Sequence, residues 1–316
     1  MGAVQAQDYA GGLWAIGARL PRAREEEIDR AIAERQIVRT WPMRGTLHFV
    51  PAADIGWMLP LLTPRAIGRA AGRYRSLALD EAAFRRARTL IGRTLLGGKR
   101  LTRPELYAAL ARGGLPPDGQ RGIHILGHLA QQGLICFGPR RDRQPTFVLL
   151  DEWLPSRRTL TRDEGLATLA ARYFTSHGPA TVHDFAWWTG LTLQEARRAV
   201  DAAGTRLDQT PSGSGPWQSA ALLPPWDEFL VAYRDRAGAL DLFKGPRAGA
   251  IGRPLVLIGG RVRGSWRRQL TPTGGGISLE MQGKLTAPER RLIEAAVEKY
   301  ARYLNRPVDV TLTWWD

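Results

Sequence analysis

Over residues 81–150 the spacing of apolar residues changes once, from helical to strand-like, and that change confines the segment to few folds. Phe84, Ala87, Leu90, Ile91 and Leu95 recur at helical spacing within 81–96. Thr102 then stands as a helix N-cap with Pro104 and Glu105 behind it, opening a helix to about residue 111. Gly113-Gly-Leu-Pro-Pro-Asp118 reads as a turn. Residues 120–132 place Ile123, Leu126, Leu129 and Ala130 on one face, and Gly133 stops that helix. Residues 134–137 and 146–150 are strands, with the basic loop Gly138-Pro-Arg-Arg-Asp-Arg143 between them. Helix, turn, helix and two strands around a basic loop is the order of a winged helix, which docks on DNA. The plainer alternative is a helical hairpin followed by a β-hairpin.

Similar patterns flank this one. A helix over 25–35 and strands over 37–40 and 45–50 make a first, fragmentary copy. A helix from Arg162 to about His177, a pair over 180–189 and 193–203, Thr192 as N-cap and Gly204 as stop make a third. Gly213-Ser-Gly-Pro216 reads as a turn or short linker. Beyond it, 220–223, 254–258, 261–269 and 308–315 are strand-like, and 289–304 is an amphipathic helix after Thr286 and Pro288. The expected fold class is α+β, with tandem winged-helix units followed by a mixed α/β C-terminal domain. The expected boundaries are 1–78, 79–155 and 156–206 for three winged-helix units and 207–316 for the C-terminal domain.

Forty-five Lys and Arg against 30 Asp and Glu leave a net charge of +15 on 316 residues. Only four of the 45 are lysine, as a GC-rich genome would produce, but that bias does not explain the excess over acids. A surplus of this size favours a polyanion through counterion release, so double-stranded DNA is the expected partner. Cys136 is the sole cysteine, which excludes an intrachain disulfide, and no apolar run approaches the ~20 residues of a membrane span. The N-terminus carries no signal-peptide pattern, and the expected compartment is the cytoplasm.

Near the start lies Gln5-Ala-Gln7, followed by Asp8. Two glutamines at i and i+2 point to one side of an extended backbone. Each amide offers a donor and an acceptor, so the pair can orient a water without supplying charge. In isolation such residues read as solvated. Asp8 is the second choice, since a carboxylate can serve as a general base. Arg44, Thr46 and His48 alternate on one face of a strand, a pattern suited to phosphate or sugar contacts or simply to solvent. His124 and His128 lie one helical turn apart but lack further ligands, so no metal and no cofactor is expected, and both should face DNA or solvent. No phosphate-binding loop or nucleophile elbow is present. Trp226-Asp-Glu228 with Arg234 and Arg236 reads first as an internal ion-pair network and second as an active-site wall.

Val4-Gln-Ala-Gln-Asp8, Leu13-Trp-Ala-Ile-Gly-Ala-Arg19 and Thr40-Trp-Pro-Met-Arg-Gly-Thr-Leu-His-Phe-Val-Pro51 together resemble the AlkZ/YcaQ family of winged-helix DNA glycosylases. Residues 225–236 and 260–268 resemble that family's C-terminal region, so the likeness runs over nearly the whole chain. It implies excision of bulky alkylated (N7-alkylpurine) or interstrand-crosslinked bases, with the family's Gln-x-Gln catalytic motif falling on Gln5 and Gln7. The site set that follows is Gln5 and Gln7, then Asp8, with Arg44, Thr46, His48, Arg140, Arg141 and Arg143 toward DNA. Family members carry a few tens of residues before this motif, so the first unit is expected to be incomplete here. The alternative is a non-catalytic winged-helix DNA-binding protein or regulator. A regulator should dimerise on half-sites, whereas a repair enzyme acts as a monomer.

Overall fold

The computed structural model describes residues 1–207, 219–241, 243, 250–270 and 274–315. The expected turn at Gly213-Ser-Gly-Pro216 lies outside these. In chain order come β1 (Val4–Gln5), α1 (Tyr9–Gly17), α2 (Glu25–Ala33), β2 (Ile37–Met43), β3 (Thr46–Pro51) and α3 (Ile55–Ser76). The middle of the chain forms α4 (Glu81–Leu95), β4 (Leu101–Thr102), α5 (Arg103–Arg112), α6 (Arg121–Gln131), β5 (Ile135–Arg141), β6 (Gln144–Leu149) and α7 (Leu150–Trp153). Three helices follow, α8 (Arg162–His177), α9 (Val182–Thr189) and α10 (Leu193–Ala203). The rest is β7 (Ala220–Leu223), α11 (Glu228–Val231), α12 (Ala237–Leu240), β8 (Leu255–Ile258), β9 (Arg261–Leu270), β10 (Gly275–Gln282), α13 (Ala287–Leu304) and β11 (Asp309–Trp315). The class is α+β, as expected.

The first two units are built alike. Each runs strand, helix, helix, strand, strand, and in each the short first strand pairs with the third (β1 with β3, β4 with β6). Their second strands meet at Arg39 and Phe137, which fuses them into one six-stranded sheet in the order β1-β3-β2-β5-β6-β4. One difference between the copies matters for the site. In the second unit Thr102 ends its strand and caps α5 at once through a reciprocal box with Glu105. In the first, Ala6, Gln7 and Asp8 intervene between β1 and α1, and Asp8 is the cap.

The segment expected as an open basic loop is tighter than that. β5 runs to Arg141 and β6 begins at Gln144, so Asp142 (φ 56°) and Arg143 alone make the turn. After α10, among the described residues, no hairpin accompanies the third helical trio, and β7 pairs into the C-terminal sheet. That sheet has the order β11-β10-β9-β8-β7, antiparallel throughout except for the parallel pair β10 and β11.

Two buried clusters tie distant segments together. Met43, Val50, Met58 and Leu62 pack with Leu166, Tyr173, Phe185 and Trp188, which seats α8–α10 on the first unit. Trp14 and Ile28 pack with Trp266, Tyr300 and Tyr303, which seats the C-terminal sheet and α13 on α1 and α2. Trp14 also donates its indole N–H to the Leu222 carbonyl at 2.6 Å. The segment containing Gln5 is thereby held between the first unit, the helical trio and the C-terminal domain.

Candidate active site

The two edges of β1 are used differently. Ala6 N–H donates to Leu47 O at 2.8 Å, which makes Gln5 and His48 a non-hydrogen-bonded pair and turns the Gln5 N–H away from β3. No strand receives it there. It donates instead to Oε1 of Glu228, a fully buried carboxylate 223 residues away, at 2.7 Å. Beyond Gln5 the ladder gives way to side chains. Leu47 N–H donates to Gln7 Oε1 at 3.1 Å, and the Ala6 carbonyl accepts from Nε and Nη2 of Arg39 at 3.0 and 2.6 Å. Gln7 therefore stands past the end of the strand and is exposed, whereas Gln5 is buried. The two amides are set by different donors, not by simple strand alternation.

Arg44 is not on a strand face. With φ of 54° it forms, with Gly45, the two-residue turn of the β2–β3 hairpin. From there its guanidinium reaches back, Nη2 to Gln5 Oε1 at 3.3 Å and to His48 Nε2 at 3.4 Å, and Nη1 to Val231 O at 3.4 Å. Guanidinium and backbone N–H groups only donate, so the Gln5 and Gln7 atoms facing them must be carbonyl oxygens. Each oxygen keeps a second lone pair for a water proton. The His48 ring is fixed by the same logic. Its Nδ1 lies 3.0 Å from the Thr46 carbonyl and must carry the proton, so Nε2 accepts from Arg44. Burial, then the Arg44 charge, lower the His48 pKa to about 3, so the ring is neutral and cannot be the solvated histidine that the sequence allowed.

Arg39 was not expected in the site. It is buried between the rings of Tyr9 (5.6 Å) and Phe137 (4.8 Å), and among the described residues it forms no ion pair. Burial lowers its pKa to about 10, so it remains cationic at neutral pH and clamps the backbone of Ala6 and Gln7. Glu228, which the sequence offered second as part of an active-site wall, accepts from the Trp188 indole N–H at 2.8 Å with its second oxygen. Burial raises its pKa, opposed chiefly by Arg44. Its neighbour Asp227 pairs with Arg19 at 2.6 and 2.9 Å and caps α11 through Phe229 N–H. The expected ion pairs of this segment with Arg234 and Arg236 are therefore replaced by Arg19, Gln5 and Trp188. His177 Nε2 lies 3.8 Å from Glu228, but burial lowers its pKa to about 4, so no ion pair forms at neutral pH.

The other candidates spread around this centre. Asp8 accepts from Gly11 N–H at 3.0 Å, which commits one carboxylate oxygen to the N-terminus of α1. A Cβ on Gly12 would meet Phe49 at 2.8 Å and Ala6 Cα at 3.1 Å, so glycine lets α1 lie directly on the Gln5–Gln7 segment. Thr46 Oγ1 donates to Met43 O at 3.4 Å and serves the hairpin. Arg140 lies over the Tyr9 ring at 4.3 Å and pairs with Asp29 at 3.3 Å. Arg141 pairs with Glu105, and Arg143 sits exposed at the turn. His128 is buried and stacks on Phe84 at 3.7 Å, not toward DNA or solvent, while half-buried His124 packs edge-on to Tyr74.

Unexpected basic charge comes from α3, where Arg65, Arg69 and Arg73 are exposed four residues apart and form no ion pair among the described residues. Arg69 and Arg44 both reach the backbone at Gly190, within 3.7 and 3.3 Å of where a Cβ would stand, so this ridge leads to the glutamines. A groove of about 1300 Å³ runs elsewhere, past Pro60, Pro64, Tyr74 and Phe84, and does not include Gln5 or Gln7.

Residues 1–303 match the family described as AlkZ-like DNA glycosylase. An interstrand DNA cross-link repair glycosylase of Streptomyces sahachiroi is 24% identical, over 98% of this chain and 89% of that protein. The solved structure of S. sahachiroi DNA glycosylase AlkZ superimposes with a TM-score of 0.79 at 21% identity, covering 98% of this chain and 91% of the other. At that identity the structural likeness is one of fold.

Proposed function

The chain belongs to the AlkZ-like DNA glycosylase family and is a hydrolase of N-glycosyl bonds, and from that membership we propose that it removes bulky N7-alkylpurines or interstrand-crosslinked bases from double-stranded DNA, with Gln5 and Gln7 positioning the water. A purine alkylated at N7 is already cationic. When its bond to the sugar carbon breaks, the electron pair passes into the ring and the base leaves neutral, so no strong acid is required. Water oxygen bonds to the sugar carbon and its surplus proton goes to solvent or to Asp8. The enzyme must exclude bulk solvent, hold one water and tolerate positive charge on the sugar, which the DNA phosphates help to balance.

The observation carrying this reading is the broken β1–β3 ladder, in which the Gln7 amide and the Arg39 guanidinium take over bonds that a strand would make with its backbone, while Arg44 holds the Gln5 amide. It orients two neutral carbonyl oxygens that lie two residues apart in the chain. Because Gln5, Gln7, Arg44 and Glu228 come from one chain, the reading includes action as a monomer.

Replacing either glutamine with Ala should slow excision of an N7-alkylguanine, or unhooking of a crosslinked duplex, by at least ~10-fold. One lost orienting contact in a closed site is worth upwards of ~1.4 kcal/mol. Ala at position 5 keeps the backbone N–H, and with it the bond to Glu228. DNA affinity should change little, since phosphate contacts dominate it. The double mutant should lose less than the product of the two single losses, as groups acting together do. Full activity in both single mutants would remove the glutamines from the mechanism, and loss only in Asp8→Asn would move the role to the carboxylate.

A further inference from the structure

The Val231 carbonyl is a junction. It accepts from Arg44 Nη1 at 3.4 Å and from the indole N–H of Trp187 at 3.2 Å. Since Arg44 also holds the Gln5 amide, Trp187 is anchored one guanidinium away from the candidate water-positioning oxygen. The two adjacent tryptophans of α9 divide sharply in exposure. Trp188 is fully buried in the core and bonded to Glu228, whereas Trp187 is 45% exposed. Its exposure is not that of a loose surface side chain. The indole edge is fixed by Val231, and the guanidinium of Arg236 lies over the ring at 5.3 Å, itself held by Nε to the Leu230 carbonyl at 2.7 Å. A guanidinium covers one face of a ring. What remains is an open indole face one guanidinium away from Gln5, on the helix capped by Gly190, which Arg69 of the α3 ridge approaches.

Keeping a tryptophan half in water forgoes the burial that its size would gain, and α9 does not need it for packing, because Phe185, Trp188 and Thr189 form its inward side. A flat ring held in this way stacks on nucleobases in a sequence-tolerant manner. A glycosylase can reach the bond of an alkylated base that is not tied to the opposite strand by unstacking its nucleotide, and the displaced base then needs a new stacking partner. We propose that Trp187 is that partner: it stacks on the unstacked nucleobase next to Gln5 and favours electron-poor, cationic alkylated rings, for which an indole face is the best aromatic surface. This inference rests on the reading of Gln5 and Gln7 as the hydrolytic pair.

The test compares wild type, Trp187→Ala and Trp187→Phe in two assays. In single-turnover excision of N7-methylguanine from a duplex, Trp187→Ala should raise the enzyme concentration needed for half-maximal rate by about 10-fold. The saturating rate should change less than about 3-fold, the melting temperature should be kept, and Trp187→Phe should recover most of the loss. In the second assay no bond is cleaved. A duplex carries 2-aminopurine in a mispaired position, where unstacking brightens it and stacking on an indole quenches it. Its emission should be higher with Trp187→Ala than with wild type. An inactive wild type, or fully active glutamine mutants, would overturn the hydrolytic reading while leaving the emission comparison to decide on Trp187. Equal emission from wild type and Trp187→Ala, or a Trp187→Phe protein no better than Trp187→Ala, overturns the stacking role.

Discussion

At the scale of single residues the site turns on Glu228, which has no solvent and two donors. Its oxygens accept from Gln5 N–H and from the Trp188 indole, and its charge opposes that of Arg44 nearby. Glu228→Gln keeps the shape but replaces one acceptor with a donor. Whichever way the new amide turns, it faces either the Gln5 N–H or the Trp188 N–H with a hydrogen, and Arg44 loses its counter-charge. Breaking one side of such a buried arrangement costs roughly 2–4 kcal/mol. The midpoint of urea unfolding should drop accordingly, and excision should fall further than in Trp188→Phe, which spares the Gln5 bond. An unchanged midpoint would mean that Glu228 is protonated and adaptable in the native state. Gln5, Arg44 and His48 were legible in the sequence because they lie within one hairpin and its partner strand. Glu228 was legible only as part of a candidate active-site wall and not as the partner of Gln5, because residues 5 and 228 are brought together only by packing of the C-terminal domain. Arg39 was hidden for another reason: its β2 strand reads as apolar, and nothing in a sequence shows that a guanidinium will replace a ladder bond.

At the scale of elements the outcome divides by how local the determinants are. α4, α5, α6, α8, α10 and α13 carry their own signals, an apolar stripe and, in four of them, a Thr cap with an acid three residues on. α3 carries none of them. Pro60 and Pro64 sit inside it, its first half is buried nearly all round, and its second half is arginine, glycine and alanine. Neighbours specify such a helix, so the sequence shows no period. β10, which opens with glycines, escapes notice for the same reason, being defined by β9 on one side and β11 on the other. Because α3 was invisible, so was its ridge of Arg65, Arg69 and Arg73. If the ridge follows the DNA backbone, the triple Ala variant should bind DNA more weakly, and the slope of log affinity against log salt should become shallower by about 2–3 (roughly 0.9 per lost phosphate contact). Its thermal stability should stay near wild type, since all three side chains are exposed. An unchanged slope would place the DNA on another face. The same titration of an Arg140→Ala, Arg141→Ala protein asks whether the β5–β6 turn contributes, given that both arginines already have carboxylate partners.

At the scale of the whole molecule, the fusion of two sheets at Arg39 and Phe137 and the shared cores could not be read from any one segment, yet they have a measurable consequence. Each of the three helical units buries one histidine: His48 on the first hairpin, His128 on α6 and His177 on α8. Burial is the leading cause in each, lowering the pKa to about 3 for His48 and about 4 for the other two. Folded-state values below the unfolded value near 6.5 mean that the unfolded chain takes up protons first as the pH falls. Stability is therefore fully present above about pH 6.5 and is lost as the pH drops toward 4, by up to about 2 kcal/mol per histidine at pH 5. Glu228 works in the opposite sense. Its pKa is raised, so the folded state binds its proton more readily and acidification relieves part of its burial cost. Glu25, also raised by burial, acts in the same sense as Glu228, and three imidazoles against these two carboxyls leave acid destabilisation as the net result. Tm should fall by about 5 °C or more between pH 7 and pH 5. His128 packs on Phe84 and Tyr74, neither of which belongs to the site, so His128→Leu removes one titrating ring without touching it. The pH-dependent drop in Tm should then shrink by about a third, with excision at pH 7 preserved. Differential scanning calorimetry of both proteins across that range decides it, and a wild-type Tm that is flat from pH 7 to pH 5 would show that these rings stay protonated or solvated in the folded chain.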